Sequence, residues 1–525
     1  MQSLMVAILL VVAASVTQAQ TYSDLYDLTQ STGSEPGFPG LPAQGFDGNL
    51  YSTMPTSFPG GGSVVKAASG GSVLTVTHYL GGSDGDEPFS GLSLGMDGNF
   101  YGTTYIHTNN AYGTVFQVTP SGTFTTLYGF TNTNDGEGPW APPVMASDGN
   151  LYGVTQGTVA VAYKITMPAH TFSVLANLPY ASVAPLIIGA DGNFYGTTTK
   201  GGTFGQGTVF QLTRAGVLKI IYSFGASAND GLTPDAPVMQ GADGKFYGTT
   251  YWGGAGGHGT IYSVTASGVY KVLHNFTSTD GANPSAGVVQ GSDNFLYGTT
   301  YGGGAFGDGV FFKCNTTGTT YKDIHDFDGK PSGGSPGPTP LLHTNGTIYG
   351  WGATGPKEGV LYSMNVGLKP FASLVVRTSG KVGTTVGIIG QGFSSTKSVK
   401  FGTGPGTFTV VSDTYMTAAP AAGANTGKVT IVEAAGSLVT PQKFKVTPTI
   451  ASFSPAGGKV GASVVITGMS LAQATAVKFG TVVATFTVTS NTKITAVVPA
   501  GAVTGKISVL TPGGTGVSAT NFTVN

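Results

Sequence analysis

The sequence has little charge, a single cysteine and one apolar run, and each shortage excludes something. Charged residues make up 9% of the 525 positions, aromatics 10%, and there are 85 glycines. A disordered chain would be rich in charge and poor in aromatics, and a helical one rich in Ala, Glu, Lys and Leu. The composition therefore predicts an all-β protein with many tight turns. Cys314 is the lone cysteine, so no intramolecular disulfide can form, and a free cysteine is most often a buried structural thiol. The apolar run at residues 4–14 precedes small residues at Thr17 and Ala19, the pattern of a signal peptide over 1–19, although no Lys or Arg comes before it. No later stretch reaches the roughly 18 apolar residues that a spanning helix needs, so the mature chain from Gln20 is expected to be secreted or held at the cell surface without a transmembrane segment.

Catalytic and metal signatures are scarce too. GLSLG at 91–95 fits the nucleophile-elbow pattern around Ser93, yet it falls on a strand of a repeat rather than on a strand-to-helix turn. The seven histidines show no metal-ligand spacing, and GTGPG at 402–406 lacks the strand-loop-helix setting of a phosphate loop. Charge is scarce but unevenly placed. Residues 21–369 hold 12 basic against 22 acidic side chains, and residues 370–525 hold 11 against 2. The acidic body and lysine-rich tail lack the arginine and aromatic interleaving of a nucleic-acid binder. The tail lysines read as solvated surface, or as contacts to an anionic envelope polymer or to the acidic body itself.

What the chain does have is repetition. ADGNFYGTTTKGGTFGQGTVFQLT at 190–213 has close copies throughout the body. Aligned on their tyrosine, the copies fall at Tyr51, Tyr101, Tyr152, Tyr195, Tyr247, Tyr297 and Tyr349, spaced by 50, 51, 43, 52, 50 and 52 residues. One copy reads as four strands, a to d, at 237–240, 245–251, 260–265 and 269–276, with Asp-Gly and Ala-Ser-Gly hairpin turns between a and b and between c and d. Four short antiparallel strands at this period predict a β-propeller blade, and seven copies predict a seven-bladed propeller over 20–369. The seventh copy lacks strand d, and residues 21–29 resemble one, so the N-terminal strand is expected to complete the last blade.

Beyond residue 370 a different repeat begins: GKVG at 380 and 458, VKFG at 399 and 477, and TGK at 426 and 504 all recur at an offset of 78. Two ungapped copies, 370–446 and 447–525, each predict a small immunoglobulin-like sandwich without a disulfide. FSPAGGKVGASVVITGMSL and TKITAVVPAGAVTGKISV resemble the IPT/TIG domain, a module of surface receptors and exported bacterial proteins. The DGNFYGTT…GG…GTVFQLT pattern over 35–365 resembles the GloVer tandem repeat of large exported bacterial proteins. That resemblance implies export and repetition, with a variable and often anchoring C-terminal region, and brings no catalytic residues.

In a four-stranded blade the d–a and b–c loops share one face of the disc and the a–b and c–d turns the other. A motif Asp-Gly-x-x-Pro belongs to the first face, at Asp84, Asp135, Asp230 and Asp280, with a longer version from Asp328. Trp140 follows one of its prolines, and Tyr105, His107, Tyr251, Trp252, His258 and Tyr301 lie in the adjacent b–c loops. Rings that stack on sugar C–H patches, beside carboxylates that accept sugar hydroxyls, suit a carbohydrate. The same aspartates also suit plain turn chemistry. The candidate ligand residues are therefore Asp84, Asp135, Trp140, Asp230, Tyr251, Trp252, Asp280, Tyr301 and Asp328. No cofactor is implied, although these loops could hold Ca²⁺. The third copy lacks both loop motifs, so its side of the face should be lower and open to a partner.

The expected function is a monomeric surface binding or adhesion protein. Its propeller would take a carbohydrate, an envelope polymer or a protein, and its tail would serve as spacer or attachment. A polysaccharide-active enzyme using face carboxylates and a purely structural surface protein are the alternatives.

Overall fold

The computed structural model describes residues 20–29, 41–56, 60–71, 73–105, 112–330, 332–434 and 436–525. The signal-peptide reading of 1–19 and His107 lie outside them. The described chain is all-β, and no helix in it is long and apolar enough to cross a membrane.

Seven successive sheets, numbered here 1 to 7 in chain order, carry the body. In sheet 5 the order is Met239–Gln240, Phe246–Thr250, Thr260–Val264 and Tyr270–Asn275, all antiparallel. Strand a is shorter than the sequence predicts, and an unforeseen two-residue ladder joins Gly231–Leu232 to Trp252–Gly253. Sheet 7 takes its outer strand from the N-terminus: Thr21–Asp27 runs antiparallel to Val360–Asn365, with Thr21 opposite Asn365 and Asp27 opposite Val360. The arrangement is propeller-like. The a–b turn of one sheet is bonded to the inner strand of its neighbour, as where Ala242 N–H donates to Gln290 Oε1 at 2.9 Å, and sheet 7 meets sheet 1 where Gln44 Nε2 donates to Thr344 Oγ1 at 2.7 Å.

Local chemistry explains the repeated text. Gly244 takes φ +85° in the a–b hairpin, a conformation that strains any side chain. Asp243 beside it accepts the Lys245 amide and, at 2.8 Å, the Tyr247 hydroxyl, so one aspartate closes the turn and fixes the tyrosine. Phe246–Thr250 is buried along its whole length because both faces are covered. The Tyr195 ring meets Phe246 of the next sheet at 4.1 Å, as Tyr51 meets Phe100 at 4.2 Å. Gly248 has no alternative: a Cβ there would lie 2.5 Å from the Tyr262 hydroxyl that crosses it. The threonines add bonds between sheets, Thr249 Oγ1 donating to Ala286 O at 2.7 Å and Thr197 Oγ1 to Ala236 O at 3.0 Å. On the outer strands stacked rings do the same, with His274 on Tyr321 at 3.7 Å and Tyr128 on Phe172 at 4.0 Å. Between sheets 3 and 4 the corresponding residues are Ala176 and Leu218, which pack without a ring pair.

In the tail the 78-residue offset maps core onto core. Val386, Ile388, Phe401, Ile431 and Phe444 are buried in the first unit, and Val464, Ile466, Phe479, Val509 and Phe522 in the second. The second unit has two sheets of four and five strands. In the first, the continuous strand Gly404–Val410 pairs on both sides and joins the layers into one eight-stranded path.

The first tail unit is seated on the a–b turns of the body. Phe46 stacks on Tyr415 at 3.7 Å, Thr414 Oγ1 donates to Phe46 O at 2.7 Å, and the Phe371 amide donates to Thr344 O at 2.9 Å. Arg377 donates to Ser147 O, and Lys445 to Ala190 O. Both cations thus meet backbone carbonyls rather than the acidic side chains that the charge asymmetry points to.

Candidate functional site on one loop face

The Asp-Gly-x-x-Pro aspartates are placed on the d–a loops, and each has partners within its own loop or strand. Asp135 accepts the Tyr128 hydroxyl at 2.8 Å, the Thr131 amide at 2.9 Å and the Thr131 hydroxyl at 3.0 Å. Asp230 accepts the Tyr222 hydroxyl and the Gly225 amide at 2.8 Å and the Ala226 amide at 2.9 Å. His78 contacts Asp84 at 2.9 Å and His274 contacts Asp280 at 3.0 Å through Nε2, while Asp328 accepts the Ser332 amide at 2.9 Å. Burial pushes the Asp135 carboxyl up, but the bonds from Tyr128 and Thr131 outweigh it and hold it below the usual carboxylate range. Asp135 and Asp230 are both buried. The geometry is that of turn staples anchored to strand d. The sequence signal for it is a tyrosine or histidine on strand d, six to eight residues before the aspartate.

A second device stitches the same loops together. The residue before each motif proline is left-handed: Glu87 at φ +55°, Thr233 at +57°, Asn283 at +53° and Ser335 at +49°. Each reaches across to the preceding sheet's b–c loop, as where the Thr233 amide donates to Gln206 O at 2.9 Å and the Asn283 amide to His258 O at 2.8 Å. The Thr233 and Asn283 carbonyls then accept the Tyr251 and Tyr301 amides at 3.0 and 3.3 Å. This conformation is rare outside glycine, above all for a β-branched residue, and marks a segment held by its surroundings.

The latch fixes what points outward. Trp252 is 49% exposed and lies edge-on to the half-buried Tyr251 at 5.0 Å. Trp140 is half-buried, one face covered by Phe89 at 4.8 Å and its edge met by Tyr105 at 4.9 Å. Tyr301 is half-buried on the rim next to Tyr251. Among the described residues six aromatic side chains are more than a third exposed: Tyr79, Tyr112, Tyr180, Phe204, Trp252 and Phe306. All six lie on the d–a and b–c loops or at the strand ends feeding them. Sequence reasoning found one of them. The Phe204 and Phe306 signal was available, an aromatic between the glycines of the GGxFGxG loop.

Sequence reasoning also missed Asp235, which follows Pro234 as Trp140 follows Pro139. No hydrogen bond or ion pair reaches its half-buried carboxylate among the described residues, and burial pushes it up to about 7. Burial, Tyr301 and Asp235 together raise the neighbouring Tyr251 phenol.

Where the third copy lacks its loops, an open cleft of about 540 Å³ lies between Pro179–Tyr180 and the sheet-4 residues Thr203, Thr208 and Ile220 to Ser223. Ser93 donates to Pro143 O of the next sheet, a structural bond between inner strands. Cys314 is buried, and burial pushes its thiol up to about 11, away from nucleophilic use. Among the described residues no three His, Cys, Asp or Glu side chains gather as metal ligands would.

The model of the Gloeobacter/Verrucomicrobia repeat matches residues 12–185 and 181–409, and that of the IPT/TIG domain matches residues 448–524. The chain belongs to the Gloeobacter/Verrucomicrobia repeat family. No curated protein matches this repeat protein. Among solved structures it is similar to TolB from Acinetobacter baumannii, at 13% identity over 50% of this chain and 62% of TolB, with a TM-score of 0.33. It is also similar to a surface glycan-binding protein from Prevotella bryantii, at 20% identity over 29% of this chain and 41% of that one, with a TM-score of 0.23. The repeat protein therefore spans less than two thirds of either neighbour. An oligogalacturonate lyase in complex with manganese aligns at 12% identity over 66% of this chain and 96% of that one, with a TM-score of 0.45.

Proposed function

We propose that this is an exported surface-binding protein. In this reading the seven sheets are the blades of a seven-bladed β-propeller, the tail is a pair of IPT/TIG modules that serve as spacer or attachment, and the d–a and b–c loop face holds a carbohydrate polymer. One observation carries the reading: every aromatic side chain more than a third exposed among the described residues lies on that face. Exposed rings cost solvation unless they meet a ligand, and rings are what stack on sugar C–H patches. They are spread over loops of sheets 1 to 6, and the cleft beside Tyr180 is open. Both features suit an extended polymer lying across the disc better than a small enclosed substrate. The tail supports the same polarity, because its first unit occupies the a–b turns and leaves the loop face free.

The test is a glycan-array screen of the whole chain, with and without Ca²⁺, repeated on Trp252→Ala and Phe204→Ala. Polymer binding that either substitution weakens, at an unchanged melting temperature, is the expected result. Silence across the array, or binding indifferent to both substitutions, overturns the proposal.

A further inference from the structure

We infer that Asp235, with Tyr251 and Tyr301, forms a subsite for an ammonium group on the ligand, which makes the preferred glycan one with free amino sugars. The inference rests on the carbohydrate reading above. The Asp-Gly aspartates of the face are already engaged, by Tyr, Thr, Ser or His side chains and by amides. Asp235 is different: its carboxylate is half-buried and, among the described residues, has no donor and no Lys, Arg or His acting on it. A carboxylate partly withdrawn from water without a protein donor is costly, so a bound cation or donor recovers part of that cost. The site is held in shape, because Thr233 O accepts the Tyr251 amide at 3.0 Å, Tyr251 O accepts Asn283 Nδ2 at 3.1 Å, and Asn283 O accepts the Tyr301 amide at 3.3 Å. The backbones of Tyr251 and Tyr301 are thereby held next to the segment that carries Asp235, and the Tyr251 phenol feels both Tyr301 and the Asp235 carboxylate.

Neutral hydroxyls could also donate to Asp235. The surroundings favour a cation. Asp86, Glu87, Glu137 and Asp308 join the Asp-Gly aspartates on these loops, opposed by Lys200, Lys330 and Lys357. A net acidic face concentrates cations and repels anions, and aromatic rings beside a carboxylate add cation–π attraction for an ammonium. A uronic-acid polymer would meet the opposite field.

Calorimetric titration of the full chain with the glucosamine hexamer, the N-acetylglucosamine hexamer and the glucose hexamer tests this at neutral pH. The free-amine hexamer should bind about tenfold more tightly than the acetylated one, as one charge-assisted contact predicts, and Asp235→Asn should remove that preference. Because the Asp235 side chain holds no bond among the described residues, the isosteric variant should remain folded, and its melting curve checks that. Equal binding of all three hexamers that Trp252→Ala weakens would overturn the ammonium subsite and leave the carbohydrate reading standing. An amine preference that survives in Asp235→Asn would overturn the assignment to Asp235. No binding by any hexamer would overturn the ammonium subsite, while the carbohydrate reading stands or falls on the glycan array.

Discussion

Asp230→Ala separates a turn staple from a ligand group. The carboxylate is 3% exposed and accepts three hydrogen bonds, from the Tyr222 hydroxyl and the Gly225 and Ala226 amides. A bond to a charged group contributes about 1.5–3 kcal/mol, so three intact bonds bound the loss at the high end. The full sum is not expected, because Ala226 is exposed and Gly225 only half-buried, so both amides can turn to water once the carboxylate is gone. Tyr222 stays stacked on Tyr270 at 4.0 Å and loses only its hydroxyl's partner. One such bond lost outright and two partly replaced gives about 3 kcal/mol. For a body this large, where each kcal/mol moves the midpoint by roughly 2 °C, that is a fall of about 6 °C. Trp252→Ala, at an exposed site, should stay within about 0.5 kcal/mol of the parent. Scanning calorimetry of the two variants beside the parent reads both. If Asp230→Ala melts with the parent while losing glycan affinity, the staple reading is wrong and the motif aspartates are ligand groups.

Asp235→Asn should change how stability depends on pH. The folded carboxyl is raised to about 7 against an ordinary value of 3.8, so its charged form opposes folding. That penalty is fully present above the folded value, shrinks as pH falls through it, and vanishes below the unfolded value, with a ceiling of about 4 kcal/mol at 1.36 kcal/mol per unit. Urea titrations at pH 8 and pH 5 should find the variant's advantage large at the first and small at the second; an advantage independent of pH would refute the assignment. Thr233→Gly should stabilise the fold by about 1 kcal/mol, because a β-branched residue at φ +57° is relieved, whereas Asn283→Gly should be near neutral since asparagine tolerates that region. Equal effects at the two sites would argue against strain in the latch. A double-mutant cycle on Phe46 and Tyr415 should give a coupling of about 1 kcal/mol for their stack, and a value near zero would mean that the first tail unit is not seated there in solution.

The skeleton could be read from the sequence because each repeated residue does a local job. Asp243, Gly244 and Tyr247 form one turn-closing unit within five positions, and the 78-residue offset of the tail places Phe401 and Phe479 in equivalent cores. The N-terminal strand could be matched because residues 21–29 look like a d strand. The site was harder, since its decisive facts are relations between loops of different sheets. Nothing local distinguishes Asp230, a staple, from Asp235, five residues on and without a partner among the described residues. The left-handed Thr233 is invisible because threonine is a poor sequence signal for that conformation. The seating of the tail left one trace, Phe46, an aromatic on the turn where other copies place Ala242, Ser147 or Ala190. A large apolar group at a hairpin turn implies a cover.

That contrast says where recognition can reside in a repeat protein. Residues that recur in each copy are consumed by the fold: the b-strand tyrosines fill the spaces between sheets, the threonines bridge to the next sheet, and the Asp-Gly turns hold their own tyrosines. A ring built from such positions alone would present the same neutral outline at every sheet and would recognise nothing in particular. Distinctness enters where copies depart from each other. The residue after the motif proline is Phe89, Trp140, Asp235 or Ser285, and the residue two beyond the Gly-Thr-Thr run is Trp252, Lys200 or Gly302. The latch residues before those prolines hold the departures at fixed places around the rim. The repeated sequence therefore supplies a rigid and interchangeable frame, and specificity falls to the few positions that the frame leaves facing water.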